Sequence, residues 1–139
     1  MTFMNMEGFM PSISKLFYRM EKLTRQEEEV MMLIWQLGKA CYIREVMDIY
    51  PDPKPPYTSV ASTVKNLQRK GYLQSTAKGV SYLYSVKISK DKYKSRFMQD
   101  WVKDYFHDSY RQMVSFFAKE QSISADDLRE ILQEIEKGR

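Results

Sequence analysis

The sequence has few of the residues that catalytic and metal sites need. It contains one cysteine, Cys41, and one histidine, His107, among 139 residues. One thiol cannot form an internal disulfide, and one thiol with one histidine supplies too few ligands for a structural zinc site. With five glycines in the chain, no glycine-rich phosphate loop is present, and neither is a nucleophile with a histidine partner or a paired-carboxylate motif. We therefore expect no metal, no cofactor and no enzymatic activity.

Long hydrophobic runs are also lacking. No apolar stretch approaches the roughly 20 residues that cross a bilayer, and residues 1–20 lack the apolar segment and cleavage site of a secretory signal. The low cysteine content is typical of a reducing compartment. We therefore expect a cytoplasmic protein that does not insert into the membrane.

Acidic residues are missing between Asp52 and Asp91, a stretch that contains seven lysines and arginines. These are Lys54, Lys65, Arg69, Lys70, Lys78, Lys87 and Lys90. The whole chain has a formal net charge of +4, so the remainder is net negative. Such segregation is typical of a protein that binds a polyanion, although a solvated basic surface would have the same composition.

Hydrophobic periodicity predicts two helices before this basic segment. Thr24 and Glu27 match a capping box, and Gly38 can end the helix that follows, so the first helix is predicted at about 25–37. Its buried stripe comprises Val30, Leu33, Ile34 and Leu37. The second helix, shorter, ends before Pro51. Its apolar positions are Ile43, Val46, Met47 and Tyr50.

A third helix is predicted at 57–70, with an inward stripe of Val60, Val64 and Leu67. Hydroxyl, amide and cationic side chains dominate its other face, and these are the donors that reach base edges and phosphates. Serine and threonine are mediocre helix formers, so their number favours a recognition helix over an ordinary polar surface. The predicted DNA contacts are Thr58, Ser59, Ser62, Lys65, Asn66, Arg69 and Lys70.

Two strands are predicted next, at 72–76 and 80–88, joined by a turn at 77–79. A hairpin with Lys78 at its tip, directly after a recognition helix, is typical of a wing that contacts the DNA backbone or minor groove. Alternatively, the hairpin only covers the core.

The rest of the chain predicts three amphipathic helices, beginning near Ser89, before Met113 and at Ser124. Their apolar stripes exceed what three short helices need, which favours a homodimer over helices that fold back on their own chain. The predicted dimerisation residues are Phe97, Trp101, Tyr105, Phe116, Phe117, Leu128, Ile131, Leu132 and Ile135.

These elements predict a mainly α fold with a small antiparallel β-hairpin: a winged helix-turn-helix domain followed by a C-terminal helical dimerisation region. The predicted boundaries are 1–20 for an N-terminal extension, 21–88 for the DNA-binding domain and 89–139 for the helical region. The extension could be an arm that packs as a short helix, or an overlong start with translation beginning at Met20.

Four segments carry a resemblance to a known family: LTRQEEEVMMLIWQLG, YTSVASTVKNLQRKGYL, KGVSYLYSV and SFFAKE. Over about residues 22–136 the chain resembles the penicillinase and methicillin-resistance repressors, relatives of the copper-responsive repressors. The resemblance implies a winged-helix dimer that binds a palindromic operator in double-stranded DNA and blocks the promoter. It also implies release by a membrane sensor metalloprotease that cuts the repressor, here near Phe116 and Phe117.

Three departures from the family limit what the resemblance implies. Phe116 stands where well-known members have an asparagine before the cut phenylalanine, which puts protease control in doubt. Ala61 stands where some members have a recognition-helix arginine, so the operator could differ. The C-terminal cysteine cluster of the copper-responsive branch is missing.

Two other functions fit the sequence. One is a winged-helix regulator released by a small apolar effector in a pocket of the aromatic tail. The other is a protein-interaction adaptor that does not bind DNA, whose binding would lack the salt dependence of a phosphate contact.

Overall fold

The computed structural model describes residues 21–138, so the predicted extension at 1–20 lies outside the described residues. Within that range the chain forms six helices and one two-stranded antiparallel sheet, which confirms the predicted fold class. In chain order the elements are α1 (Arg25–Leu37), α2 (Ile43–Ile49), α3 (Tyr57–Arg69), β1 (Leu73–Lys78), β2 (Ser81–Val86), α4 (Lys90–Phe106), α5 (Tyr110–Lys119) and α6 (Ala125–Lys137). Contacts divide the chain into two units after Lys94, so the start of α4 belongs to the first unit.

The predicted ends of α1 are confirmed. The hydroxyl of Thr24 accepts a hydrogen bond from the backbone of Glu27 (3.2 Å), and the Glu27 carboxylate accepts one from the Thr24 backbone (2.9 Å). The helix ends at Gly38, which has a positive φ of 70° and whose N–H donates a hydrogen bond to the Ile34 carbonyl. These bonds satisfy backbone groups that every helix end leaves without a partner.

The first unit has one hydrophobic core, to which α1, α2, α3 and the sheet all contribute. Its buried members are Val30, Met31, Ile34, Cys41, Val46, Tyr50, Val60, Val64, Leu67, Tyr72, Leu73, Tyr84 and Ile88. The indole N–H of Trp35 donates to the Ile88 carbonyl (3.0 Å), and its ring packs against Tyr93 with centroids 5.3 Å apart. These contacts attach the first turn of α4 to α1.

The hairpin differs from its prediction at the turn. Strand β1 continues through Lys78, which pairs with Ser81, so the connection is the two residues Gly79 and Val80 rather than 77–79. A glycine with a φ of 63° in the first of two turn positions fits a type II′ turn, which matches the twist of paired strands. The sheet is also extended by a bridge between Cys41 and Tyr84. The sequence does not predict this bridge, because a single paired residue produces no alternating pattern.

A buried ion pair joins the end of α3 to the start of α1. The ammonium of Lys70 lies 2.7 Å from the Glu27 carboxylate and also donates to the Lys22 carbonyl (3.0 Å). The side chains are only 13% and 6% exposed. Burial alone would raise the pKa of Glu27, but the hydrogen bonds from Lys70 and Thr24 outweigh it and lower that pKa below its ordinary value. The pair therefore fixes the C-terminal end of α3 against α1.

We predict that Lys70→Met lowers the free energy of unfolding by about 3 kcal/mol at pH 7, because it leaves the Glu27 carboxylate buried without its cation. In the unsubstituted protein the folded-state pKa of Glu27 lies below 4.5. The stability that the carboxylate contributes is therefore complete above the unfolded-state pKa and is lost as the pH falls through the folded-state pKa. The variant should lack this loss on acidification, as urea unfolding at several pH values would measure.

Lys94→Met is the matched control. Lys94 lies 3.7 Å from Asp91, and the two side chains are 65% and 92% exposed. Exposed pairs contribute about 1 kcal/mol or less. Equal destabilisation by the two substitutions would contradict the structural role of the Glu27–Lys70 pair.

Candidate nucleic-acid interface

Helix α3 is anchored along one side. Val60, Thr63, Val64 and Leu67 are buried, which confirms the predicted inward stripe and adds a threonine to it. The hydroxyl of Thr63 donates to the Ser59 carbonyl (2.9 Å), so burial leaves it with a partner. At the start of the helix, the Pro56 carbonyl accepts hydrogen bonds from the backbones of Ser59 and Val60. The opposite side is thereby directed to solvent.

The exposed side of α3 contains most of the predicted DNA contacts. Thr58, Ser62, Lys65 and Arg69 are exposed, whereas Ser59 and Asn66 are partly buried. The guanidinium of Arg69 donates to the side-chain oxygen of Asn66 (2.8 Å), which places these two groups side by side. Because α3 contains no acidic residue, this face offers cations, an amide and hydroxyls without a competing carboxylate.

Lys70 differs from the other predicted contacts. Its ammonium points into the first unit, where it donates hydrogen bonds to the Glu27 carboxylate and the Lys22 carbonyl. The sequence did not show this because Glu27 lies 43 residues away. We therefore place Lys70 among the residues that support α3 and remove it from the predicted DNA contacts.

Lys54 is exposed, but its ammonium also has partners in its own chain: it donates to the carbonyls of Met47 (2.6 Å) and Asp48 (3.5 Å) at the end of α2. The other cations of the basic segment are exposed. They are Lys65, Arg69, Lys78, Lys87 and Lys90. The excess positive charge of residues 53–90 is thus largely available to a ligand.

The hairpin places further exposed side chains beside α3. The side-chain amide of Gln68 donates to the Ser75 hydroxyl (3.1 Å), which connects α3 to β1. Lys78 is exposed near the turn, and Val80 and Tyr82 are exposed as well. Sequence reasoning missed Tyr82, because an aromatic residue in an alternating strand is expected to face the core.

In the second unit, aromatic rings of α4 and α5 cluster. Trp101 stacks on Phe117 with centroids 6.1 Å apart, and Phe106 packs edge-to-face on Phe116 at 5.8 Å. Much apolar surface stays uncovered within the described chain, since helix α6 has no buried residue. The exposed apolar side chains among the predicted dimerisation residues are Phe97, Tyr105, Phe116, Ile131, Leu132 and Ile135. Trp101, Phe117 and Leu128 are partly buried.

The bond between Phe116 and Phe117 lies inside α5. The Phe116 carbonyl accepts from the Glu120 backbone (3.0 Å), and the Phe117 carbonyl accepts from the Ser122 backbone (2.9 Å). A protease could bind this bond in an extended form only after local unfolding of α5.

Residues 21–138 lack two structural features of other protein classes. No helix there combines the length and apolarity required to traverse a bilayer. The same residues contain no group of three or more histidine, cysteine or acidic side chains placed to hold a metal ion.

Comparison with known proteins agrees with this arrangement of helices and hairpin. No curated protein matches the sequence. The family model described as "Penicillinase repressor" matches residues 23–137, which is most of the chain. Members of that family are regulators rather than enzymes. The chain therefore belongs to the penicillinase repressor family of winged-helix, DNA-binding transcriptional repressors.

Proposed function

We propose that this protein represses transcription in the cytoplasm as a homodimer on a palindromic operator, with α3 in the major groove and the hairpin as a wing against the backbone. The observation that carries the proposal is the exposed side of α3. It presents Lys65, Arg69 and several hydroxyls on a helix without a carboxylate. A surface of this chemistry suits phosphates and base edges.

Individual roles follow from position along α3 and the hairpin. Thr58, Ser59 and Ser62 lie in the N-terminal half of α3 and contact the operator there. Asn66 and Arg69, held together by their hydrogen bond, act as one donor group toward a base or a phosphate. Lys78 near the hairpin turn contacts the backbone beside the groove. Residues 21–88 form the DNA-binding domain in this proposal.

The second unit supplies the dimer contact in this proposal, as part of a dimerisation region at 89–139. Its support is the apolar stripe on α6, where Ile131, Leu132 and Ile135 are 45%, 54% and 48% exposed. Helical appendages with such stripes are commonly covered by a second copy. Two copies would bring two recognition helices to half-sites about 34 Å apart.

Release from the operator would follow a cut near Phe116 and Phe117 by a membrane sensor metalloprotease, after local opening of α5. A small-molecule effector is the second candidate for release. It is favoured by an open groove of about 540 Å³ in the second unit, with Phe106 and Phe116 as apolar walls and Arg111 and Lys119 beside them. A compound that weakens DNA binding of uncut protein would support the effector, and loss of binding only after cleavage would support the protease.

We predict a steep salt dependence of DNA binding. If each subunit places three or four cations on phosphates, the slope of log affinity against log salt is about −5 to −7 for the dimer. Lys65→Ala should reduce its magnitude by about 1 per contact and weaken binding to all sequences alike, if Lys65 touches phosphate. Anisotropy titrations on duplexes selected from a random pool would measure both.

The control for Lys65→Ala is Lys119→Ala, an exposed lysine of α5 whose loss should leave the slope unchanged. Affinity that is flat with salt in the unsubstituted protein would contradict DNA binding and favour the protein-interaction adaptor.

We also predict that Leu132→Asp converts the dimer to monomers, because it places a charge in the apolar stripe. Operator affinity should then fall by about 100-fold or more, since the two half-sites lose their shared effective concentration. Gln133→Asp adds the same charge at a neighbouring exposed position and should leave the dimer intact. Sedimentation velocity would separate these outcomes, and a Leu132→Asp protein that stays dimeric would remove α6 from the interface.

A further inference from the structure

Two exposed tyrosines flank the proposed DNA-facing surface, one on the helix and one on the hairpin. Tyr57 is the first residue of α3 and is 53% exposed, and Tyr82 of β2 is 57% exposed. Within residues 21–138, neither hydroxyl has a hydrogen-bond partner. Both phenols are therefore available donors in a segment that contains no carboxylate.

Strand alternation places Tyr82 on the side of the sheet that turns toward α3. Tyr84 pairs with Ser75, and Tyr82 pairs with Ala77, so these four residues share one sheet face. Ser75 accepts the hydrogen bond from Gln68 of α3, which identifies that face. Tyr84 is 6% exposed whereas Tyr82, nearer the turn, is mostly solvent-accessible. The hairpin thus carries Tyr82 beyond the edge of the core on the helix side.

The two exposed phenols both lie near the buried Tyr84. Burial raises the pKa of Tyr84, and the nearby phenols of Tyr57 and Tyr82 raise it further. The phenols of Tyr57, at the start of α3, and of Tyr82, on β2, therefore both lie near Tyr84. Exposed cations from both elements, Lys65 and Lys78, belong to the same acid-free segment.

We infer that the hydroxyls of Tyr57 and Tyr82 donate hydrogen bonds to phosphate oxygens of the DNA backbone, as a neutral pair of contacts between the recognition helix and the wing. This inference rests on the proposed function. A tyrosine hydroxyl is among the groups that hold proteins to phosphates without reading sequence. It differs from lysine in one measurable respect: a neutral donor binds phosphate without adding to the counterions that the cations release.

The test uses the full chain with Tyr57→Phe and Tyr82→Phe, each of which removes one exposed hydroxyl and keeps the ring. Each substitution should weaken binding by roughly fivefold per contact, and by about 25-fold for a dimer in which both subunits change. The loss should be equal at every salt concentration, so the slope of log affinity against log salt stays unchanged. It should also be equal on a selected duplex and on a duplex of unrelated sequence.

Two controls accompany these variants. Tyr110→Phe removes an exposed hydroxyl in the second unit, where the residue is 50% exposed, and should not alter binding. Lys78→Ala should reduce the magnitude of the slope, in contrast to the tyrosine variants. Circular dichroism establishes that the variants fold alike.

Unchanged affinity in both tyrosine variants would overturn the inference, and so would a changed slope. In either case a salt-dependent unsubstituted protein weakened by Lys65→Ala would leave the proposed function standing. Absence of any salt-dependent DNA binding would instead overturn the proposed function and the inference together.

Discussion

The direction in which α3 presents its polar face depends on the buried ion pair between Glu27 and Lys70. Glu27 serves two elements at once, because its carboxylate caps the start of α1 and also holds the cation at the end of α3. The hydroxyl of Tyr72 adds a bond from the same end of α3 to the Glu21 carbonyl (2.7 Å). A helix fixed at its end and along its buried stripe has little freedom to rotate, so its exposed face keeps one orientation.

Aromatic residues hold the first turn of α4 in place at the end of the first unit. Tyr93 packs on Trp35 and Tyr72, and its hydroxyl donates to the Glu28 carboxylate. Burial and that acceptor raise the pKa of Tyr93 above its ordinary value, so the phenol stays protonated and keeps its bond. The first turn of α4 is thereby attached to α1. Helix α4 then continues into the second unit as part of one element.

The cations of the basic segment have two uses: some bind groups of their own chain, and others are exposed to a ligand. Lys70 binds a carboxylate and a carbonyl inside the first unit, and Lys54 binds two carbonyls at its surface. Lys65, Arg69 and Lys78 are exposed. Net charge alone does not distinguish these uses, because a lysine counts equally in both. Burial and partner distances distinguish them, and they leave the exposed cations on the two elements that the proposed function assigns to DNA.

The sequence by itself determined the helices of the first unit, since the capping box at Thr24 and the stripe of α3 depend on local spacing. It also determined the family, through four segments distributed between residues 23 and 120. Only the tertiary structure decided that Lys70 faces inward, that Cys41 extends the sheet and that Tyr82 is exposed. Each of these depends on a contact between distant residues or on where an edge of the core lies. Local periodicity contains neither kind of information, because it describes neighbours along the chain and not neighbours in space.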